Sequence, residues 1–178
     1  MEALIFDLET TGLTDNRSVP LDKLPEAVEF CGLLIDFDTG RLIDELDILI
    51  KPHKPVPFEI TKITGLNDED LKDASPFAWV APRIRTIIQH APLVIAHNAS
   101  YDVEILDIEY QRAKLAPLVW PRIVCTVEAT VHLQGHRLNL TALHTHLFGC
   151  GFPNAHRART DVEALARCVA KLYQQGDI

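Results

Sequence analysis

The sequence predicts an α/β fold in which helices cover a mixed sheet, and two observations lead to this prediction. Residues 28–37 and 41–51 are apolar runs rich in β-forming side chains, and Asp38, Thr39 and Gly40 between them are typical of a hairpin turn. After this hairpin, segments with helical and strand periodicity alternate along the chain. An antiparallel hairpin followed by alternating helices and strands indicates a sheet with both antiparallel and parallel strands.

The first third of the chain predicts strands joined by loops. Residues 3–8 predict a strand that ends in a turn at residues 11–12. Residues 14–26 are polar and contain two prolines, so we expect a long loop before the hairpin. A second, proline-rich loop is expected after the hairpin, from residue 52 to the segment Ile63-Thr64-Gly65-Leu66.

Helices and short strands are predicted for the rest of the chain. Residues 76–90 predict a helix with one apolar stripe, which consists of Phe77, Val80, Ala81, Ile84, Ile87 and Ile88. Residues 93–96 predict a short buried strand. The remaining expected elements are a helix at 100–114, a strand at 119–124, and helical segments at 126–133, 139–147 and 161–174.

Length and composition favour one domain that spans residues 1–178. No apolar run is long enough to cross a membrane, so we expect no membrane partner. The N-terminus leads directly into the first strand without a signal peptide, which predicts a cytoplasmic location. The formal net charge of −8 argues against a large non-specific duplex-binding surface. It does not exclude nucleic acid, because metal ions and backbone N–H groups also contact phosphates.

The cysteines and histidines do not indicate a disulfide framework or a zinc site. No CxxC spacing is present, and we expect a reduced, interior role for Cys31, Cys125, Cys150 and Cys168. His144 and His146 cannot share one face of a helix, and no fourth ligand accompanies them and Cys150. P-loop, GxSxG and GxGxxG motifs are also absent from the sequence.

The first acidic motif is the pair Asp7 and Glu9, at the end of the first predicted strand. Side chains alternate along a strand, so both carboxylates point to the same face. Carboxylates this close repel one another, and burial makes their charge more unfavourable still. A divalent cation between them would remove this difficulty. The pair therefore predicts a cation site.

Two further motifs lie at helix starts. Asp102 lies in the first turn of a middle helix, where an aspartate is by itself ordinarily favourable to the helix dipole. Thr160 and Glu163 predict a capping box that places Asp161 at the first position of the last helix. Asp161 shares its stripe with apolar residues, so its carboxylate is expected to point toward the sheet. His156 precedes this helix in a loop, where a lone histidine is usually solvated.

Taken together, these motifs resemble the DEDDh branch of 3′–5′ exonucleases, a family that includes polymerase proofreading subunits and has a ribonuclease H-like fold. The resemblance covers nearly the whole chain, from the segment 6–12 to the helix after Asp161. Further segments that match the family are Ile63-Thr64-Gly65-Leu66, Ala96-His97-Asn98 and Leu138-Asn139-Leu140.

The resemblance implies a role for each acidic residue. Asp7, Glu9 and Asp161 would hold one Mg²⁺ or Mn²⁺ ion, and Asp7 would bridge to a second ion that Asp102 supports. Two ions about 3.5–4 Å apart can stabilise the attacking and leaving oxygens of a displacement at phosphorus. His156 would be the general base for the attacking water. The expected product is a 5′-mononucleotide released from the 3′ end of single-stranded DNA or RNA.

The resemblance also implies a binding segment for the terminal nucleotide. Thr10, Thr11 and Gly12 match positions that hold it, and Leu13 is expected either to pack on the last base or to cover the core. Glycine permits a close approach of backbone, and threonine offers hydroxyl and N–H donors. Asn98 would either contact the substrate or cap its helix, and we favour the cap.

Several alternatives stay open at this point. A non-catalytic nucleic-acid-binding or scaffold module could keep the fold, because fold alone does not determine activity. DNA and RNA are both candidate substrates, so an RNA-trimming enzyme is as compatible as a DNA-proofreading one. The connection 14–25 is longer than is usual in the family, and the chain stops soon after the last helix without a long tail for a polymerase. The oligomeric state and an association with a DNA polymerase are also open.

Overall fold

Six strands form one mixed sheet within residues 1–13 and 19–178, the part of the chain that the computed structural model describes. They are β1 (Glu2–Thr10), β2 (Ala27–Asp36), β3 (Arg41–Lys51), β4 (Ser75–Pro76), β5 (Leu93–Ala96) and β6 (Arg122–Cys125). Their order across the sheet is β4-β3-β2-β1-β5-β6. β2 pairs antiparallel with β1 and β3, whereas β5 runs parallel to β1 and β6. The predicted α/β class with a mixed, helix-covered sheet is confirmed.

Helices cover both faces of this sheet. They are α1 (Phe58–Thr64), α2 (Asp68–Leu71), α3 (Phe77–His90), α4 (Ala99–Arg112), α5 (Thr126–Ala129), α6 (Val131–Gln134), α7 (Leu140–Phe148) and α8 (Ala158–Gln175). α3 and α4 form one core with Leu4 and Phe6 of β1, and α8 forms a second core with Ala3 and Ile5. Because side chains alternate along a strand, the odd-numbered residues of β1 face α8.

Helix α1 corrects the prediction of a continuous loop between the prolines and Leu66. The chain becomes helical immediately after Pro57, and the helix ends at Gly65, whose φ of 76° is left-handed. A proline is tolerated at a helix start because the first N–H groups have no partner within the helix, and glycine is favoured at the helix end. Asn67 then begins α2 with a capping box to Asp70. Pro57 therefore marks the start of a helix, and Gly65 marks its end.

The connection between β1 and β2 is only partly described, since the predicted loop 14–26 includes residues outside the described ranges. Its described part contains a short 3-10 turn at Leu21–Lys23. Arg112 of α4 donates hydrogen bonds to the carbonyl oxygens of Leu21, Leu24 and Pro25 at 3.0–3.2 Å. These bonds fix the end of the connection against α4. At the other side of the sheet, β6 begins three residues later than predicted, because a proline at position 121 has no N–H for the ladder.

Two expectations from composition have different outcomes. All four cysteines are free thiols; Cys31 and Cys168 are buried, Cys125 is partly buried, and Cys150 is exposed. The interior role was therefore wrong for Cys150, which follows Gly149, the left-handed residue that ends α7. Among the helices of the described ranges, none combines the length and apolar character needed to cross a membrane.

Candidate active site

β1 and the start of α8 bring three carboxylates together. Asp7 and Glu9 lie on the face of β1 that α8 covers, and Asp161 lies in the first turn of α8. One carboxylate oxygen from each of these residues lies within 4.8 Å of the other two. We call Asp7, Glu9 and Asp161 the carboxylate trio. The trio joins the first and last regular elements of the chain.

Asp102 lies beside the trio but is not part of it. It occupies the first turn of α4, and its exposed fraction is only 3%. Its Oδ1 accepts a hydrogen bond from the Leu8 N–H at 3.2 Å. Because Leu8 separates Asp7 from Glu9, this bond holds Asp102 against the same stretch of β1. The structure thus brings all four predicted acidic residues to one region.

Burial raises the pKa of Asp7, Glu9, Asp102 and Asp161, and repulsion by neighbouring carboxylates raises the pKa of Asp7 and Glu9 further. Burial is the largest cause for Asp7, followed by the charges of Asp102 and Glu9. The pKa of Glu9 rises to about 8, because of burial first and then the charge of Asp161. Burial also raises the pKa of Asp102 and of Asp161. Without a cation, these groups therefore retain protons at pH values where ordinary carboxylates are fully ionised.

The donor set suits a divalent cation. Oδ1 of Asp161 is buried and accepts no hydrogen bond from the described residues, although it lies in a cluster of like charges. Carboxylate oxygens are the ligands that Mg²⁺ and Mn²⁺ prefer, and a bound cation reduces the repulsion that raises the pKa values. The residues that are present fit a metal site.

The start of α8 differs from the predicted capping box. The helix begins at Ala158, so Asp161 lies in its first turn rather than at its first position. Glu163 does not cap the helix and instead accepts a hydrogen bond from Arg159 Nε at 2.6 Å. The helix begins early because Glu29 of β2 accepts the Ala158 N–H at 3.0 Å. A side chain from a distant strand therefore supplies the cap.

His156 lies immediately before this helix and is exposed, with a left-handed φ of 70°. Its backbone N–H donates a hydrogen bond to Asp161 Oδ2 at 3.2 Å. The trio does not include its imidazole ring. The contacts within the described residues thus tie the backbone of His156 to Asp161.

Glu29 is a buried carboxylate that the sequence interpretation did not identify. It is the cross-strand partner of Glu9, and its exposed fraction is 2%. Arg157 forms a bidentate pair with it, through Nη2 at 2.8 Å and Nε at 3.1 Å. A charged residue within the otherwise apolar run 27–34 is the signal that could have indicated it.

The segment Thr10–Leu13 has its hydroxyl groups engaged within the protein. Thr10 Oγ1 lies 2.6 Å from the Tyr101 hydroxyl, which donates to the Gly12 carbonyl oxygen at 2.5 Å. Thr11 Oγ1 accepts a hydrogen bond from the N–H of Glu26, the residue before β2, at 2.9 Å. Gly12 has open space where a Cβ would lie, and the exposed fraction of Leu13 is 71%. Leu13 therefore does not cover the core, and Tyr101 is a further contact that sequence reasoning missed.

Asn98 does not cap α4, so the preferred interpretation of this residue was wrong. Its backbone is left-handed, with φ 71° and ψ 44°, and its side chain accepts no capping hydrogen bond. A capping side chain normally requires an extended backbone, which this conformation does not provide. The preceding His97 is hydrogen-bonded to Thr126 and to the Leu138 carbonyl oxygen, at 2.9 and 3.0 Å. Two of the family-like segments thus meet at His97, whose pKa burial lowers to about 4.

A model of the RNase_T exonuclease family matches residues 4–169. The chain belongs to the RNase_T exonuclease family. Among curated members of similar sequence is a PolC-type DNA polymerase III of Bacillus subtilis (strain 168), 30% identical over 177 residues. Another is that of Streptococcus sanguinis (strain SK36), 31% identical over 166 residues. These two matches cover 96% and 92% of this RNase_T chain, but only 11% and 10% of the polymerases.

Solved exonuclease structures share the fold of this RNase_T chain. The nuclease domain of 3′hExo, described as a DEDDh family member bound to rAMP, superposes with a TM-score of 0.81 at 16% identity. That match covers 98% of this chain and 92% of the domain. Exonuclease X in complex with 5′-overhanging duplex DNA gives a TM-score of 0.69 at 21% identity, and covers 98% of this chain and 93% of that one. At these identities the likeness shows the fold alone.

Proposed function

We propose that residues 1–178 form one exonuclease domain, a metal-dependent 3′–5′ exonuclease that releases 5′-mononucleotides from single-stranded or frayed 3′ ends. The carboxylate trio carries this proposal, because three mutually repelling carboxylates at the end of a strand are unfavourable without a cation. Membership of the exonuclease family supports the same reaction class. Cytoplasmic action is part of the proposal.

Asp7, Glu9 and Asp161 are the proposed ligands of one Mg²⁺ or Mn²⁺ ion, and Asp7 and Asp102 are proposed to serve a second. When bound, such ions supply Lewis-acid stabilisation of charge at the reacting phosphate. The unpartnered Oδ1 of Asp161 supports this assignment, since a buried oxygen without a donor is unfavourable unless a ligand engages it. The hydrogen bond from the Leu8 N–H to Oδ1 holds Asp102 next to Asp7, which supports the second assignment.

His156 is proposed as the general base that accepts a proton from the attacking water. Its exposed position next to Asp161 supports the role, because the ring is accessible and its backbone is tied to a proposed metal ligand. No hydrogen bond within the described residues engages its ring nitrogens, so one nitrogen is available to accept a proton. Histidine is the side chain that most often serves as a general base.

Thr10, Thr11, Gly12 and Leu13 are proposed to hold the terminal nucleotide, together with Asn98. The open space at Gly12 and the exposed Leu13 support contact with a sugar and a base. The threonine hydroxyls are engaged within the protein, so their proposed part is to shape this segment. The polymerase III relatives suggest association with a DNA polymerase as a further part of the proposal.

The test uses matched DNA and RNA oligonucleotides with a 5′ label, paired and unpaired, incubated with Mg²⁺, with Mn²⁺ or with EDTA. We expect a ladder of shortening labelled products with either metal and none with EDTA. Asp7→Ala should abolish the ladder, whereas the exposed Glu163→Gln serves as an acidic control that keeps it. Equal digestion by Asp7→Ala and the parent would overturn the site. Products shortened from the labelled 5′ end would overturn the polarity, and the better substrate identifies DNA or RNA preference.

A further inference from the structure

Glu29 places a buried carboxylate next to Glu9 in the sheet. It stands directly opposite Glu9 in the β1–β2 ladder, and its side chain is buried on the side that α8 covers. Like charges at opposed positions of an antiparallel pair destabilise it, and the charge of Glu29 raises the pKa of Asp7, Glu9 and Asp161. A buried carboxylate in this position requires compensating donors.

Three donors from one short segment supply this compensation. Arg157 Nη2 and Nε donate to the two oxygens of Glu29, and the Ala158 N–H donates to Oε2 at 3.0 Å. Arg157 is the residue that precedes α8 and offers no side-chain cap of its own. One carboxylate thus binds a guanidinium and the helix start together. Bidentate guanidinium pairs are geometrically specific as well as strong.

The segment held in this way carries two of the proposed functional residues. His156 precedes Arg157 directly, in a left-handed conformation that is unfavourable for a non-glycine residue. Asp161 follows in the first turn of α8, and its Oδ2 accepts the His156 N–H. The contacts of Arg157 and Ala158 therefore lie between the two residues whose placement the proposed chemistry needs.

The attachment of α8 to the sheet does not depend on this ion pair. Ala158, Val162, Leu165 and Val169 are buried against the sheet and supply an apolar interface along the helix. A buried ion pair adds little net stability beyond what apolar side chains would give, because desolvation opposes it. Its specific contribution is the direction and register of the segment that it holds.

We propose that Glu29 and Arg157 form a positioning clamp that holds the segment 156–161 in the register that places Asp161 and His156 beside β1. We call it the Glu29–Arg157 clamp. Neither residue touches the reacting atoms in this proposal, and both act through Asp161 and His156. The inference rests on the proposed exonuclease function and adds a specific requirement for its rate.

The test compares Arg157→Gln, Arg157→Lys and Glu29→Gln with the matched control Arg159→Gln. Arg159 lies in the same helical turn, where it pairs with Glu45 and Glu163 at the surface. Each variant is assayed for kcat and KM on a 5′-labelled oligonucleotide with Mn²⁺. Amide hydrogen exchange across residues 156–161 and across β1 is measured in the same proteins without metal.

We expect Arg157→Gln and Glu29→Gln to lower kcat by about tenfold or more, with KM changed by less than about twofold, because positioning and not substrate contact is lost. Amide exchange at 156–161 should rise about tenfold in these variants and stay constant in β1. Arg157→Lys keeps the charge but not the bidentate geometry, so its kcat should be intermediate. The double variant should be no slower than either single one, since both remove one interaction. Arg159→Gln should match the parent.

A parental kcat in Arg157→Gln, or an equal loss in Arg159→Gln, overturns the clamp. If Glu29→Gln does not fold, the Arg157 variants decide, because that side chain is 44% exposed. An inactive parent would overturn the proposed function alone, and amide exchange would then decide on the clamp. In that case unchanged exchange at 156–161 overturns it, and a rise confined to this segment supports it.

Discussion

Helices α4 and α8 each bring one aspartate to the end of β1, but they hold it in different ways. Asp102 of α4 is buried, and the Leu8 N–H of β1 binds its carboxylate directly. Asp161 of α8 is only partly buried, and one of its oxygens has no donor among the described residues. On the first side the strand itself positions the acid. On the second side the placement depends on the Glu29 contacts at the helix start.

This difference divides the site into two halves. We call Asp102 on α4 the preformed half and Asp161 on α8 the adjustable half. The α4 half is held by a hydrogen bond from the backbone of β1 to the Asp102 carboxylate. The α8 half combines the Glu29–Arg157 ion pair with an Asp161 oxygen that accepts no hydrogen bond from the described residues, and both respond to nearby charge. We therefore expect changes in metal, pH and charge to act mainly on the α8 half.

The largest expected effect is the loss of activity when either acid is removed. Asp102→Ala and Asp161→Ala should each lower kcat by about 1,000-fold or more. Each removes a proposed metal ligand, and the remaining ligands cannot support the reaction without it. Release of 5′-mononucleotides from a labelled oligonucleotide measures this loss. The two variants should differ in stability at pH 5. Asp102→Ala leaves the buried Leu8 N–H without an acceptor, which lowers the free energy of unfolding by about 1–3 kcal/mol.

That cost corresponds to a fall in Tm of roughly 5 °C for a chain of this size. Asp161→Ala should change the Tm at pH 5 by less than about 2 °C, since one oxygen of Asp161 accepts no hydrogen bond from the described residues and the other accepts the exposed His156 N–H. Equal losses of Tm in the two variants would contradict the division into two halves.

The next largest effect concerns His156. His156→Gln should lower kcat by about 100-fold or more, the range in which a positioned general base contributes. The increase in Tm that Mn²⁺ causes should be unchanged, because His156 is outside the carboxylate trio. His146→Gln is the control, since His146 is an exposed histidine of α7. Unchanged turnover in the His156 variant would remove the general-base role and leave the metal site intact.

The third prediction is a pH dependence of the metal-free protein. A carboxyl group whose pKa is higher in the folded protein binds more protons when folded, so its stabilisation is present at low pH and is lost as pH rises. For Glu9 the window runs from the ordinary value of 4.5 to about 8. The Tm in EDTA should therefore fall by about 5 °C or more between pH 5 and pH 8.

Added Mn²⁺ should restore this stability at pH 8 and have little effect at pH 5, because the cation competes with protons for the same oxygens. Differential scanning fluorimetry of the parent and of Asp161→Asn measures both effects. The variant should show a smaller fall with pH, since one repelling charge is gone. A Tm in EDTA that rises with pH would show that repulsion does not govern this site.

The smallest expected effect tests the preformed half. Tyr101→Phe removes the hydroxyl that donates to the Gly12 carbonyl oxygen, which loosens the segment proposed to hold the nucleotide. We expect KM to rise about threefold with kcat unchanged, which corresponds to the net contribution of one hydrogen bond. Tyr173→Phe is the control, because its hydroxyl donates to Asp38, a turn residue of the β2–β3 hairpin. A larger change in kcat than in KM would contradict this prediction, because it would show that Tyr101 affects the reaction step more than nucleotide binding.

Local periodicity predicted the sheet class, and the resemblance of the combined motifs to DEDDh exonucleases implied that Asp102 and Asp161 join Asp7 and Glu9. Asp7 and Glu9 needed only the two-residue alternation of a strand. The true start of α8 could not be predicted from local sequence, since its cap comes from Glu29, which is 129 residues away along the chain. Helix α1 was missed because proline was interpreted as a loop signal, although Pro57 and Gly65 bound the helix.

Asn98 shows a second limit of local reasoning. An asparagine before a helix usually caps it, yet the backbone at this position is left-handed and the side chain makes no capping hydrogen bond. The backbone conformation depends on how β5 leads into α4 beside His97, whose contacts reach Thr126 and Leu138. Such conformations are determined by tertiary contacts that lie far apart in the chain.

The position of α8 after β1 and α4 in the chain has a consequence for the protein during its synthesis. Asp7, Glu9 and Asp102 precede it, so a growing chain contains three of the four acids long before Asp161 has been made. The carboxylate trio is complete only when the last helix docks on the sheet. We therefore expect a nascent chain that has not yet reached Asp161 to lack the complete carboxylate trio, and with it the proposed metal site.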